Sequence, residues 1–273
     1  MKLNKLFLLA GFAMLTFGMS SCSDDDDYTP GAPSGKYDVS FANEEAKKVL
    51  ALDDKTFTVD VTRANGDGEL TVPVEVLQKP DCFTVPQSIT FAAGETEKSL
   101  EIAVADGMEN FVDYTLRLRI PEAYTQAYKE DAGSPMLNMT VLKEDFKPWA
   151  EGVFRDNIIF KQAWNQTLEY SEIKDTYRLP DLIATGTHFL FKWNGKADDD
   201  SELYFCDSEG AKIAIQATGF VHPSYGMIMA NFLYTEWLGF DSEKETFYFP
   251  IEFTVSAGTF GANYDTFTIT KKY

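Results

Sequence analysis

The chain has few side chains of the reactive kinds and many carboxylates. Its 273 residues include three cysteines, two histidines and 43 acids. The two histidines stand apart, His188 in the apolar run Thr187-His-Phe-Leu-Phe and His222 beside Pro223. Neither has a second His or Cys at a spacing that would share a metal, so one reads as a strand residue and the other as a turn residue. No Gly-x-Ser-x-Gly elbow, His-Glu-x-x-His pair, phosphate-cradling Gly-Lys-Thr loop or Cys-x-x-Cys pair occurs. A carboxylate pair of the glycosidase kind is assembled in space rather than in sequence, and among so many acids no pair stands out. The cluster Asp198-Asp-Asp-Ser-Glu202 lacks the alternate spacing and central glycine of a calcium loop and reads as a solvated hairpin tip. The expectation is a protein that is not an enzyme, with no catalytic residue, cofactor or metal ligand assigned.

Aromatic side chains are the better candidates for a site. All four tryptophans, Trp149, Trp164, Trp193 and Trp237, fall in the second half of the chain. A sugar offers a face of C–H bonds that packs on a ring, and its hydroxyls need polar partners nearby. Rings are also bulk for a core, and Trp193, in phase with Phe189 and Phe191, reads as core. Tyr225 in Pro223-Ser-Tyr-Gly226 and Trp237 in Tyr234-Thr-Glu-Trp-Leu-Gly239 lie at turns. The candidate ligand site is therefore Tyr225, Tyr234 and Trp237, with Asn231 as a polar partner. The alternative is a structural or adhesive surface protein with no small-molecule ligand.

The third reactive group is Cys22. Lys2 and Lys5 precede an apolar run, Leu6 to Gly18, that is short for a bilayer span but suits the middle of an export signal. Met19-Ser-Ser-Cys22 follows, and then Ser23 and the aspartates Asp24, Asp25, Asp26 and Asp27. The small residues before Cys22 resemble a bacterial lipobox, in which the thiol receives a diacylglycerol and the chain is cut just before it. Met19 departs from the usual leucine; the other reading is an ordinary secretory signal cut near Ser20, with Cys22 a bystander. Ser23 to Asp27 resembles the surface-export signal of Bacteroidota-type lipoproteins. That resemblance implies an outer-membrane protein, anchored by acyl chains such as palmitate and facing the cell exterior. The partners expected from it are the membrane, through the lipid, and a polysaccharide or a surface protein complex.

Charge narrows the partners further. Loss of residues 1–21 would leave 22 basic and 43 acidic residues, a net charge of −21. Phosphate backbones need a positive footprint, so nucleic acid is excluded. Electrostatic adsorption to a membrane is excluded for the same reason, which leaves anchoring to lipid, stable when two or three chains are attached. Cys82 and Cys206 fall in different domains and in apolar surroundings, and read as two separate buried thiols.

The elements that must hold these residues are strands. Tyr28 to Gly35 is rich in Pro and Gly and reads as a linker. From Lys36, apolar residues alternate with polar ones: Phe57, Val59, Val61; Leu70 through Val76; Leu100, Ile102, Val104; Leu116, Leu118, Ile120. Asn65-Gly-Asp-Gly68, Lys79-Pro-Asp81 and Ala93-Gly-Glu95 supply turns between them. Pro121 to Pro135 predicts a helical turn, and Met136 to Lys143 a last strand. Glu144 to Pro148 reads as a junction. Beyond it the expected strands are 187–193, 201–206, 211–217, 227–234, 246–255 and 264–270. The fold class is all-β, two β-sandwich-like domains. The boundaries are 1–21 for the leader, 22–35 for an acidic tether, 36–144 for the first domain and 145–273 for the second.

Phe57-Thr-Val-Asp-Val-Thr-Arg-Ala-Asn-Gly66, Ser88-Ile-Thr-Phe-Ala-Ala-Gly-Glu-Thr96, Ser99-Leu-Glu-Ile-Ala-Val104 and Asp113-Tyr-Thr-Leu-Arg-Leu118 resemble successive strands of a Calx-β domain. The resemblance covers Lys36 to Glu144 and implies an immunoglobulin-like sandwich. Calcium-binding members carry acids in end loops; Asp53-Asp54 and Asp106 to Asp113 are the matching positions here and are thinner than the family pattern. Trp164 through Pro180, and Phe253 through Phe267, resemble C-terminal domains of uncharacterised surface lipoproteins of the same bacteria.

Overall fold

The computed structural model describes residues 37–42, 47–126, 133–232 and 239–273. In the first domain one sheet joins β1 (Val39–Phe41), β3 (Thr56–Arg63), β8 (Glu97–Val104) and β6 (Phe83–Thr84), in that order. The facing sheet joins β2 (Lys47–Leu50), β10 (Met136–Lys143), β9 (Tyr114–Arg119) and β5 (Glu75–Gln78). The alternation in sequence is the alternation in burial. Phe57, Val59 and Val61 of β3 and Leu100, Ile102 and Val104 of β8 are buried, while the residues between them are mostly exposed. Apolar side chains from both sheets close one core.

The run from Leu70 to Val76, expected as one strand, is two. β4 (Leu70–Pro73) forms a pair with β7 (Ser88–Phe91), whereas β5 joins β9 in the other sheet. Pro73 has no N–H for a ladder, and the chain changes sheets just after it. Arg63 is 3 % exposed. Its guanidinium donates to the carbonyls of Glu95 (2.6 Å), Ala92 (2.7 Å) and Gly68 (3.0 Å), which closes the loops at this end of the sandwich. The helical turn expected between Pro121 and Pro135 is a 3-10 turn at Glu122–Tyr124.

The second domain is one curled sheet. Among the described residues its order is β15 (Leu203–Cys206), β14 (Phe189–Trp193), β13 (Thr176–Leu179), β12 (Ala163–Ser171), β11 (Lys147–Arg155), β20 (Gly258–Lys272), β19 (Thr246–Val255), β17 (Gly226–Asn231) and β16 (Ile215–His222), with β18 (Gly239–Asp241) also paired to β19. The two ends of the sheet fold over each other around phenylalanine. Phe205 stacks on Phe232 with ring centroids 3.9 Å apart, and Phe191 meets Phe249 at 5.4 Å.

Strands β11, β12 and β13 were absent from the sequence expectation. The inward positions of β11 are Ala150, Gly152 and Phe154, and two of these carry too little side chain to register as alternation. Gly152 is required: a Cβ there would overlap the Thr268 carbonyl and the Phe267 ring. β16 lies further along the chain than the expected 211–217, and its register against β17 shifts between Ala217 and Val221, around Gly219 with its positive φ of 76°. The Asp198 cluster is also more than a solvated tip. It forms a 3-10 turn, Asp198–Asp200, in which Asp198 accepts the N–H (3.1 Å) and hydroxyl (2.7 Å) of Ser242.

The junction between domains is buried. Glu144 and Asp145 are 8 % and 7 % exposed. The Glu144 N–H donates to Leu50 O, while Asp145 accepts the Ser171 hydroxyl and the Ile173 N–H. The two domains are thus tied to each other by the residues that connect them.

Candidate functional site

A cleft of about 1040 Å³ opens between the domains. Interfaces between domains are common places for ligand pockets. One wall is β2, an edge strand that presents Lys47, Lys48 and Val49; the other is built from β12 to β14 and the loops around them. At its floor Arg178 is held by two carboxylates, Glu144 and Glu169, each at 2.6 Å, and its guanidinium lies 3.8 Å from the ring centroid of Phe146. Phe146 meets Phe111 edge-on, and the Lys174 ammonium lies 5.0 Å above the Phe111 ring.

His188 stands in this wall. Its Nδ1 accepts the Asp181 N–H at 3.1 Å, so the proton of the neutral ring sits on Nε2. Burial, together with the Arg178 charge nearby, holds its pKa below the ordinary histidine value. The ring is therefore a neutral donor at neutral pH.

A second constellation lies at the tip of β16 and β17. Tyr225 is 49 % exposed and stacks on His222 with centroids 4.8 Å apart and planes 29° from parallel. Phe260 of β20, 37 % exposed, meets both rings, at 5.8 Å from His222 and 6.2 Å from Tyr225. The turn that places Tyr225 is fixed locally: His222 Nδ1 accepts the Ser224 N–H, and Gly226 takes a positive φ of 79°. Val221 and Met227, paired across the hairpin, are exposed beside it. Sequence reasoning found Tyr225 but missed Phe260, whose approach depends on a pairing between β19 and β20 that begins at Gly258 rather than at the expected Tyr264.

The other expected site residues fare differently. Asn231 spends its amide nitrogen on β19, donating to Glu252 O (3.1 Å) and Thr254 Oγ1 (2.8 Å). Tyr234 and Trp237 lie outside the described residues, as do Cys22, Ser23 and Asp24 to Asp27. The remaining tryptophans are packed. Trp149 and Trp193 meet at 6.0 Å, Trp193 sits 5.0 Å from Phe247, and Trp164 lies 5.2 Å from Phe154. Cys82 and Cys206 are both free. Cys206 is buried, which pushes its thiol up to about 11, whereas Cys82 is only half-buried, in contrast to the expectation of two buried thiols.

The first domain's acidic end loops do not fit calcium. The Asp106 carboxylate is paired with the Lys55 ammonium, and the buried Lys143, 5 % exposed, donates to Asp54 O at 3.1 Å. Asp54 turns its own carboxylate back to the Ala51 N–H at 2.8 Å. Two ammonium groups stand where a divalent cation would need six to eight oxygens.

One buried acid went unseen in the sequence. Asp265 on β20 is fully buried; one oxygen accepts the Asn157 N–H at 2.9 Å and the other has no partner among the described residues. Burial, with the charge of Asp156 adding to it, pushes Asp265 up to about 8. Asp156 itself accepts the N–H groups of Ile158, Ile159, Phe160 and Lys161. Asp265 would suit an acid catalyst by its pKa, but nothing in the solvent can touch it.

No protein-family model matches the chain, and no curated protein does. Solved structures do match. The apo form of the Calx CBD1 domain is similar over 39% of this chain and 96% of its own, at 18% identity and a TM-score of 0.28. A multidomain protein including DUF1735 from Bacteroides ovatus is similar over 84% of this chain and 92% of its own, at 11% identity and a TM-score of 0.32. An auxiliary nutrient binding protein from Bacteroides thetaiotaomicron matches over 82% and 90%, at 10% identity and a TM-score of 0.34. These are the two kinds of structure that the sequence resembles, Calx-β domains and Bacteroides proteins. The all-β, sandwich-like architecture itself rests on the strand pairings described above.

Proposed function

We propose that this chain is a surface-anchored binding module whose second domain takes a glycan at the ring cluster of His222, Tyr225 and Phe260, as an accessory to polysaccharide uptake. The observation that carries the reading is the exposure of Tyr225 and Phe260 together, on a hairpin tip held by its own hydrogen bonds. Rings that serve a core are covered, as Trp193 and Phe247 cover each other; these two are not. Tyr225 adds a phenol that can hydrogen-bond a sugar hydroxyl beside the stacked face. In this reading the first domain is a spacer, Cys22 carries the lipid, and Ser23 to Asp27 direct the protein to the outer face of the outer membrane.

A glycan array with residues 23–273 tests the reading. Binding to at least one polysaccharide, reduced by Tyr225→Ala in a folded protein, is the expected result. No binding across the array, or binding that Tyr225→Ala and Phe260→Ala both leave intact, would turn the assignment toward a structural or adhesive role.

A further inference from the structure

Charge is spread unevenly along this chain, and the ring cluster falls where there is none. A quarter of all residues are charged and the net charge is −19, yet no Asp, Glu, Lys or Arg occurs from Ile213 to Asn231 or from Phe253 to Tyr264. These two stretches build the β16–β17 hairpin and the tip of the β19–β20 hairpin, and they meet at His222, Tyr225 and Phe260. The cross-strand pairs behind the tip, Val221 with Met227 and Ala217 with Met229, are apolar. The polar groups of the two tips are neutral ones, Ser224, Tyr225, Thr259 and Asn263.

The neighbouring segments add mostly negative charge. Glu252, half-buried on β19, pairs in register with Ala262, and Asp265, next after Tyr264 on β20, is buried. The buried Asp156 opens a loop that reaches β16 through Phe160, whose ring meets Phe220 at 5.3 Å. Lys161 of that loop is the one cation these segments supply. An anion laid on the rings would therefore lose water without gaining an opposite charge, in the field of an acidic molecule. A hydroxyl group needs only a neutral donor or acceptor. The cluster also stands at the end of the second domain away from the junction. β20 pairs Lys272 with Ala150, close to the junction, and Thr266 with Arg155; Phe260 is further still, roughly 40 Å from Lys272 measured along the strand.

We propose that the ring cluster selects an uncharged glycan, one bearing hydroxyls but no carboxylate or sulfate. The inference rests on the glycan reading and adds to it the charge class of the ligand. Rings and neutral polar groups do the holding, so affinity does not depend on salt, and the acidic field around the site excludes uronates and sulfated sugars.

The experiment is calorimetry on residues 23–273 with a panel of polysaccharides. Laminarin, xyloglucan, galactomannan and dextran are the uncharged probes; polygalacturonate, alginate, chondroitin sulfate and dextran sulfate are the charged ones. The expected result is binding of at least one uncharged probe, tighter than that of any charged probe. Its affinity should change less than about twofold between about 0.05 and 0.5 M salt. Tyr225→Ala should weaken it about fivefold, with Phe260→Ala as an independent change on the other hairpin, and Lys161→Ala should leave it unaltered. A charged probe that binds as tightly as any uncharged one, and that Tyr225→Ala or Lys161→Ala weakens, would retain the glycan reading and overturn this inference. No binding of any probe, or binding that both folded ring variants leave intact, would overturn both.

Discussion

The guanidinium of Arg178 lies 3.8 Å from the centroid of the Phe146 ring, so a residue of the connecting segment is pinned by a residue of the second domain. The same guanidinium bonds Glu144 and Glu169. With Arg178 13 % and Glu144 7 % exposed at the side chain, this is a partly desolvated charge network on the path between the domains. Removing this cation strands two carboxylates. Arg178→Met should lower stability by about 3 kcal/mol, within the range for breaking a buried pair, and Arg178→Lys should restore only part of it because an ammonium cannot fork to both acids while stacking on a ring. Denaturant titration checks the size of the effect. Limited proteolysis at Glu144 to Pro148 checks its place, and faster cleavage in the methionine variant is expected.

Asp265 makes stability depend on pH in a direction opposite to that of a salt-bridged acid. Its folded pKa, about 8, stands above the value of an unfolded aspartate, so the folded state binds more protons than the unfolded state between about pH 4 and pH 8. Stability from this group is full below that window and falls as pH rises through it, by a few kcal/mol in order of magnitude. Asp265→Asn, which keeps the shape of the neutral acid, should flatten the fall and raise the thermal midpoint at pH 8 relative to the parent. Parallel midpoint-against-pH curves for the two proteins would show that Asp265 is not the group responsible.

The proposed anchor has its own test. Cys22→Ala should leave the protein unlipidated and release it from the membrane fraction. Replacing Asp24 to Asp27 with alanine should keep the lipid but lower the susceptibility of the protein to external protease on intact cells. Unchanged partitioning of the first variant, or unchanged protease sensitivity of the second, would remove the corresponding step of the localisation.

The first domain was more legible than the second, for a physical reason. In β3 and β8 most inward positions are held by Phe, Val, Leu and Ile, and the outward ones mostly by Thr, Asp, Ser and Glu, so the period of two is visible in the residue types. In β11 the inward positions include Ala150 and Gly152, the latter required by the close approach of β20, and on β12 Gln166 interrupts the apolar face. Long-range pairing decided those strands, and pairing is not written locally. The site divides the same way. Tyr225 was readable from its Pro-Ser-Tyr-Gly turn. Phe260 arrives from another hairpin, and the cleft draws Lys47 and His188 from two domains, so neither could be found from spacing along the chain.

The central claim is that the exposed rings at the β16–β17 tip hold a sugar. It is tested most directly by calorimetry of residues 23–273 against the best glycan from the array, with Tyr225→Ala and Phe260→Ala beside the parent. A ring stacked on a sugar contributes on the order of 1 kcal/mol, so each change should weaken binding about fivefold, with the thermal midpoint unchanged. Parent-like affinity in both folded variants would contradict the claim.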